Sequence, residues 1–166
     1  MNEFNPQSPK VLEYIKSVNT HWKMRLWAFM NLPTMWYWGG RVEHADIDKA
    51  AVSLKLKRAT KNPYKSIYFT ALCGAGELST GILAEIALQG RGSFAMLVLR
   101  QRAEFLKKAT GKITFNCVDG PAVREAIQKA IDTKEGQSIE MLSIGTNADG
   151  IEVAKVYITW TFKLRK

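Results

Sequence analysis

The stretch "KNPYKSIYFTALCGAGELSTGILAEIALQG", residues 61–90, limits the fold more than any other part of the chain. From Ser66 to Leu88 it is mostly apolar or small, yet Glu77 stands near its middle and Cys73, Gly74, Ala75 and Gly76 come just before it. Such a run either crosses a membrane or fills a core. A carboxylate at the centre of a bilayer costs about 3 kcal/mol on insertion scales, and both Glu77 and Glu85 fall within the run. Ser66, Thr70, Ser79 and Thr80 weaken the membrane reading further. The run is therefore predicted as a long helix buried in a soluble domain, from about Ser66 to Leu88, and no membrane span is expected. Each Gly inside a helix costs roughly 1 kcal/mol against Ala. The small residues up to Gly76, and Gly81, thus predict close approach of another helix or of a substrate chain.

The flanking sequence supplies a sheet. Residues 8–30 are predicted as one amphipathic helix, with Ser8 as cap, Pro9 in the first position and Val11, Leu12, Ile15, Val18, Trp22, Leu26 and Phe29 near one face. Pro33 and Gly39–Gly40 bound a break in which Trp36, Tyr37 and Trp38 predict a hydrophobic lid over the core. Within residues 41–58, Val52, Leu54 and Leu56 alternate with Ser53, Lys55 and Lys57, as in a half-buried strand. After the long helix come "SFAMLVLRQRAEFL" and "GKITFNCV", joined by "KKATG" and predicted as a hairpin. "PAVREAIQKAID" predicts a second amphipathic helix. Two final strands flank Asp149–Gly150, a strong hairpin signal. The sum is an α+β domain with a mostly antiparallel sheet. The 166 residues suit one domain, with residues 1–40 as a helical extension and aromatic loop.

Lys and Arg number 24 against 15 acids, a net charge of +9 that favours polyanionic partners: nucleic acid, anionic membrane, or a ligand with several phosphates. No DNA- or RNA-binding module is legible, so specific nucleic-acid binding is not expected. The two cysteines, Cys73 and Cys117, form no C-x-x-C pair, and the first ten residues do not read as a signal peptide, so a reducing cytoplasm is the expected setting. Cys73 has no catalytic His context and reads as a small buried residue. No cluster has metal-ligand spacing and no phosphate loop is present, so neither metal nor cofactor is expected.

The order of elements resembles the hotdog fold, in which a curved antiparallel sheet wraps a central helix. "NPYKSIYFTALCGAGEL" resembles the signature of the phenylacetate-type and 4-hydroxybenzoyl-CoA-type thioesterases: an Asn or Gln before the helix, a tight turn, and an acid fifteen residues later. Asn62 and Glu77 are fifteen apart. "EFLKKATGKI" resembles the family's strand–turn–strand segment, and the resemblance covers roughly residues 41–164. The long N-terminal helix and the opening of the signature are similar to the DUF4442 branch. Where the pattern has Gly at its fourth position and His-Gly at its seventh and eighth, this chain has Lys65, Tyr68 and Phe69.

The residues and the resemblance together imply an acyl-CoA thioesterase, a hydrolase in which Glu77 acts as base or nucleophile, Asn62 positions water or substrate, and the helix-start amides of Tyr68 and Phe69 hold the oxyanion. A buried Glu has its pKa raised towards that of a general base. Ser66 is the predicted N-cap. Arg100, Arg102, Lys107 and Lys108, placed around the predicted hairpin, are candidates for the coenzyme A phosphates. The alternative is a non-catalytic acyl or acyl-CoA binding protein on the same fold, with Glu77 a buried acid satisfied by a neighbour. Helix-start amides and Glu77 are about 12–13 Å apart on one helix. A second, antiparallel copy would bring them together, so a homodimer is expected, with a tetramer possible on the same fold.

Overall fold

The computed structural model describes residues 3–165. Three helices come first: α1 (Pro9–Asn19), α2 (His21–Asn31) and α3 (Pro33–Trp38). Strands β1 (Arg41–Ala45) and β2 (Ala50–Lys55) lead to the long helix α4 (Phe69–Leu88). Then follow β3 (Phe94–Phe105), β4 (Lys112–Cys117), α5 (Gly120–Thr133), β5 (Gln137–Thr146) and β6 (Glu152–Leu164). All strands form one antiparallel sheet in the order β1-β2-β4-β5-β6-β3. The sheet curves round α4.

Period-two burial fixes which face of the sheet meets the helix. In β6, Ala154, Val156, Ile158, Trp160 and Phe162 are buried, and in β4 Ile113, Phe115 and Cys117 are. Each large side chain fully buried in this way contributes about 1.5–3 kcal/mol. By length and composition α4 could cross a membrane, but 67% of its apolar window is buried inside the protein. Its apolarity is that of a core helix. Apart from its end residues Phe69 and Leu88, α4 leaves one stripe short of full burial: Thr70, Cys73, Gly74, Glu77, Gly81 and Glu85.

The small residues of α4 serve this packing. A Cβ on Gly76 would lie 2.6 Å from Cβ of Val156, so Gly76 admits the sheet. Gly74 faces Trp38 and Met35 of α3. The close approach expected before Glu77 is thus made by β6 and α3 within the chain.

Three expectations need correction. The N-terminal helix is two helices, broken at Thr20, whose backbone is extended. Asn19 makes the break: its amide donates to the Ala45 carbonyl at 2.7 Å and accepts from the Ala45 N–H at 2.9 Å, tying the end of α1 to β1. As a result Trp22, Leu26 and Phe29 are exposed rather than facing the core. The segment 33–38 is a helical turn, not a loop; Trp38 packs on the core, while Tyr37 is exposed.

The second correction concerns "KKATG". β3 and β4 do not form a hairpin; β3 lies at the far edge beside β6, and β4 lies between β2 and β5. The link is pinned along its length by backbone bonds: Leu106 N–H to Val153 O, Ile67 N–H to Ala109 O, and Leu56 N–H to Gly111 O. The twelve residues of β3 match the thirteen of β6, and a six-residue β4 offers no such partner. Arg100, Arg102, Lys107 and Lys108 therefore surround no central hairpin. Third, α4 starts at Phe69 with Tyr68 as N-cap residue, and Ser66 does not cap it. The predicted turn at Asp149–Gly150 and the helix begun by Pro121 are both present.

Candidate functional site

The turn before α4 is built by Asn62. Its Oδ1 accepts from the N–H groups of Tyr64 at 3.0 Å and Ser66 at 3.1 Å, and its Nδ2 donates to Ser66 Oγ at 3.0 Å. This is an Asx-type turn, which sets the chain's entry into the helix. Lys65 sits inside it at φ 59°, a left-handed conformation that favours glycine. Lys65 is the position where the thioesterase signature has Gly, and here a lysine adopts the left-handed conformation.

The helix start supplies a different pair of amides from the one expected. The Tyr68 N–H donates to Thr60 O at 2.7 Å and is thereby occupied. Among the described residues, the amides of Phe69 and Thr70 have no backbone acceptor. They are the orphan donors of the first turn, carrying the positive end of the helix dipole. Tyr68 and Phe69 are exposed; their rings meet edge-on at 4.9 Å, and Phe69 meets Phe105 at 6.0 Å.

Glu77 stands two turns on, between two recesses. On one side is a cavity of about 460 Å³ closed over by α1 and α2, a size usual for a small-molecule site. Val18, Met24, Trp27, Leu78, Ile82 and Trp160 make its wall apolar, with Gly81 and Glu85 further along α4. On the other side is a shallow groove bounded by Phe69, Thr70, Cys73, Gly74, Gln101 and Trp38. Among the described residues the Glu77 carboxylate has no ion-pair or hydrogen-bond partner. Burial alone pushes its pKa above the usual 4.5. Glu85, at the cavity's outer end, is raised by the same cause. Tyr14 opposite is pushed up, first by burial and then by Glu85. The Cys73 thiol is raised by burial, against the opposing pull of a hydrogen bond from Gln101.

A third recess gathers Asn62, Ser66, Tyr68, Phe69, Phe105, Lys107 and Lys108. The fold thus brings Asn62 and the two lysines to the helix start but leaves Glu77 outside that recess, with Phe69 bordering both. Arg100 lies exposed on β3. Arg102 is already engaged: its guanidinium reaches Glu104 and Glu140, each at 3.2 Å, and stacks on Tyr157 at 3.4 Å. Sequence reasoning missed Gln101, Trp38, Trp160, Tyr14 and Met24. They arrive from β3, α3, β6, α1 and α2, and no spacing in the chain announces their meeting on α4. Among the described residues no group of three or more His, Cys, Asp or Glu is placed to hold a metal ion.

A six-stranded antiparallel sheet wrapped round one long helix defines a hotdog fold. Solved structures agree on the fold. A Pseudomonas aeruginosa protein of unknown function, with a suggested thioesterase activity, is 18% identical and superposes with a TM-score of 0.72 over 85% of this chain and 93% of its own. A Haemophilus influenzae thioesterase is 11% identical, with a TM-score of 0.68 over 89% and 93%. A Staphylococcus aureus thioesterase is 13% identical, with a TM-score of 0.59 over 78% and 97%. That last protein was solved with a glutamine replaced by alanine and, separately, with a glutamate fifteen residues later replaced by alanine. No curated protein matches the chain by sequence. Residues 21–162 match the domain of unknown function DUF4442, and the chain belongs to that family.

Proposed function

We propose that the protein hydrolyses acyl thioesters, with acyl-CoA as the substrate class, in a homodimer whose sites draw on both chains. The observation that carries this reading is the Glu77 carboxylate: desolvated, without a partner among the described residues, and set between an apolar cavity and an open groove. The cavity would take the acyl chain and the groove the thioester. Glu77 takes a proton from water, the hydroxide adds to the carbonyl carbon, and the oxyanion is held by helix-start amides. When the tetrahedral adduct collapses, the C–S bond breaks and the leaving thiolate takes the proton back from Glu77. Attack by Glu77 itself, followed by hydrolysis of the anhydride, yields the same products.

Dimerisation follows from distance. Phe69 and Glu77 are eight residues apart on α4, about 12 Å along the axis, too far to grip one carbonyl. The outer edge of β3 exposes Leu97, Val98 and Leu99 with no strand beside them among the described residues, which supports a second copy there. Lys107 and Lys108, beside the helix start, are the basic groups best placed for coenzyme A phosphates.

The test is release of free thiol from a panel of acyl-CoAs. Wild-type protein is expected to turn over at least one, and Glu77→Gln to lose that turnover with its fold intact. Undiminished turnover by Glu77→Gln would remove the proposed base. A second reading has its own support: the Tyr68 amide is occupied and the Asn62 side chain holds a turn, so two of the groups assigned to catalysis are already engaged. That reading is an acyl-CoA binding protein without chemistry. Thermal stabilisation by acyl-CoA without thiol release would select it.

A further inference from the structure

Helix α2 turns its apolar side outward. Ala28 is its only buried residue and Met24 is half-buried, which marks the inward direction. At about 100° per residue, Trp22, Leu26, Phe29 and Met30 lie opposite. They are exposed by 65%, 50%, 56% and 64%. Lys23 and Arg25 stand on the two shoulders of this stripe. Each lies over an aromatic ring, Lys23 at 5.8 Å from Trp22 and Arg25 at 5.3 Å from Trp36. Phe29 meets Trp36 edge-on at 5.1 Å, so the patch continues onto α3, where Tyr37 is exposed. The helix contains no Asp or Glu.

A helix of a globular protein normally turns its apolar stripe to the core and its charges to water. Apolar outward with basic shoulders is the arrangement of a helix lying in a lipid interface. There Trp, Phe and Leu sit at the acyl boundary and Lys and Arg meet headgroup phosphates. Charge separates this occupant from a second copy. A two-fold contact through the stripe would gather Lys23 and Arg25 of both copies, four cations, round one interface, with no acid on α2 to pair them. An anionic surface neutralises both, and it also attracts a chain of net charge +9. We propose that the outward face of α2 docks the protein on an anionic lipid surface. Eleven residues are too few to span a bilayer, which takes about 20, so the helix lies in the surface. Lys23, Met24 and Trp27 of the same helix border the cavity over α4, so the docked helix lies between that cavity and the acyl layer. The proposal does not depend on thioester hydrolysis.

Co-sedimentation of the full chain with vesicles tests it. One set of vesicles is phosphatidylcholine alone; the other is phosphatidylcholine with phosphatidylglycerol. Wild-type protein is expected on the phosphatidylglycerol vesicles, with weaker binding to phosphatidylcholine. Lys23→Gln with Arg25→Gln is expected to lower partitioning about thirty-fold, from about fivefold per basic residue at an anionic surface. Trp22→Ser with Phe29→Ser is expected to abolish binding while circular dichroism stays unchanged. Failure of wild-type protein to bind either vesicle overturns the proposal. So does undiminished binding by the serine variant, which would assign attachment to overall charge. Self-association of wild-type protein that the serine variant abolishes, with vesicle binding unaffected, would give the face to a second copy.

Discussion

The indole N–H of Trp160 donates to Thr80 Oγ1 at 2.9 Å, and the Thr80 hydroxyl donates in turn to the backbone carbonyl of Glu77 at 2.8 Å. This chain of two bonds fastens β6 to α4 at the turn that carries Glu77, and Trp160 is at once an anchor and a wall of the cavity. Thr80→Val keeps the shape and removes the hydroxyl, leaving a buried indole N–H without an acceptor. Denaturant unfolding is expected to show a loss of about 1–3 kcal/mol. Adding Trp160→Phe removes the stranded donor, so the double variant should lose less than the two single losses combined.

Glu77 gives stability a pH dependence whose sign follows from its raised pKa. Between the ordinary glutamate value of 4.5 and the higher folded value, the native protein holds a proton that the unfolded chain has released. Stability contributed by the neutral side chain is therefore fully present below 4.5 and is lost as pH rises through the folded value. Glu77→Gln remains neutral throughout. Its melting temperature is expected to exceed that of wild type at neutral pH, and the gap should close on acidification below 4.5. A gap that does not change with pH would place Glu77 in water. If Glu77 is the base of the proposed hydrolysis, the acid limb of thiol release should lie above the ordinary carboxylate range.

The Phe69 amide can be deleted on its own. Phe69 opens α4, where Pro is well tolerated, and Tyr68 before it has φ −64° and ψ 134°, the extended conformation that a following Pro requires. Phe69→Pro is thus expected to fold and to reduce thiol release by on the order of 10²–10³-fold, the usual cost of one oxyanion donor. Phe69→Ala keeps the N–H and should retain most of the turnover. If, as proposed, each site takes its acid from one chain and its amide from the other, mixing Phe69→Pro with Glu77→Gln under conditions of subunit exchange should raise activity above that of either parent, because one site of each mixed dimer is then intact.

Much of this arrangement is visible in local sequence. The acid in an apolar run, the Asx turn at Asn62 and the fifteen residues between Asn62 and Glu77 are each readable within about thirty residues of chain. Strand pairing is not local. β3 precedes β4 closely in sequence yet pairs with β6, whose register Arg102↔Tyr157 spans more than fifty residues. The break at Thr20 was hidden for a similar reason. It is Ala45, on β1, that makes Asn19 more useful as a clasp than as a helical residue. The cavity wall suffers most: Tyr14, Met24 and Trp160 look like ordinary amphipathic-element residues until α1, α2 and β6 converge.

Lys65 keeps a glycine-favoring conformation without being glycine. A left-handed residue other than Gly costs about 1–2 kcal/mol, while glycine's extra freedom in the unfolded chain takes back about 0.5–1 kcal/mol. Lys65→Gly is expected to raise stability by about 0.5 kcal/mol. Lys65→Val, β-branched at φ 59°, is expected to lower it by at least 1 kcal/mol. Both follow from thermal or urea unfolding, and the reverse order would show that the turn does not hold this backbone in solution.

Gly76 and Gly81 lie five residues apart on α4 and should respond in opposite ways. At Gly76 an added Cβ meets Val156 Cβ at 2.6 Å and both its methyls at 2.9 Å, so helix and strand must part. Gly76→Ala is expected to cost about 1–3 kcal/mol, as overpacking of a closed core does. At Gly81 the nearest atoms are Trp160 Cζ2 at 3.4 Å, Trp160 Cη2 at 3.8 Å and Glu77 Oε1 at 4.0 Å, all side-chain atoms on the cavity wall. A larger residue there grows into space rather than into backbone, and a Gly inside a helix is itself costly by about 1 kcal/mol against Ala. Gly81→Ala should therefore be neutral or stabilising, and Gly81→Leu should fold while filling part of the cavity beside Glu77. If the acyl chain occupies that cavity, Gly81→Leu shifts preference towards shorter acyl-CoAs, seen as a raised KM for long chains with short-chain turnover kept. An unchanged chain-length profile in a well-folded Gly81→Leu would move the acyl chain to the groove on the other side of Glu77.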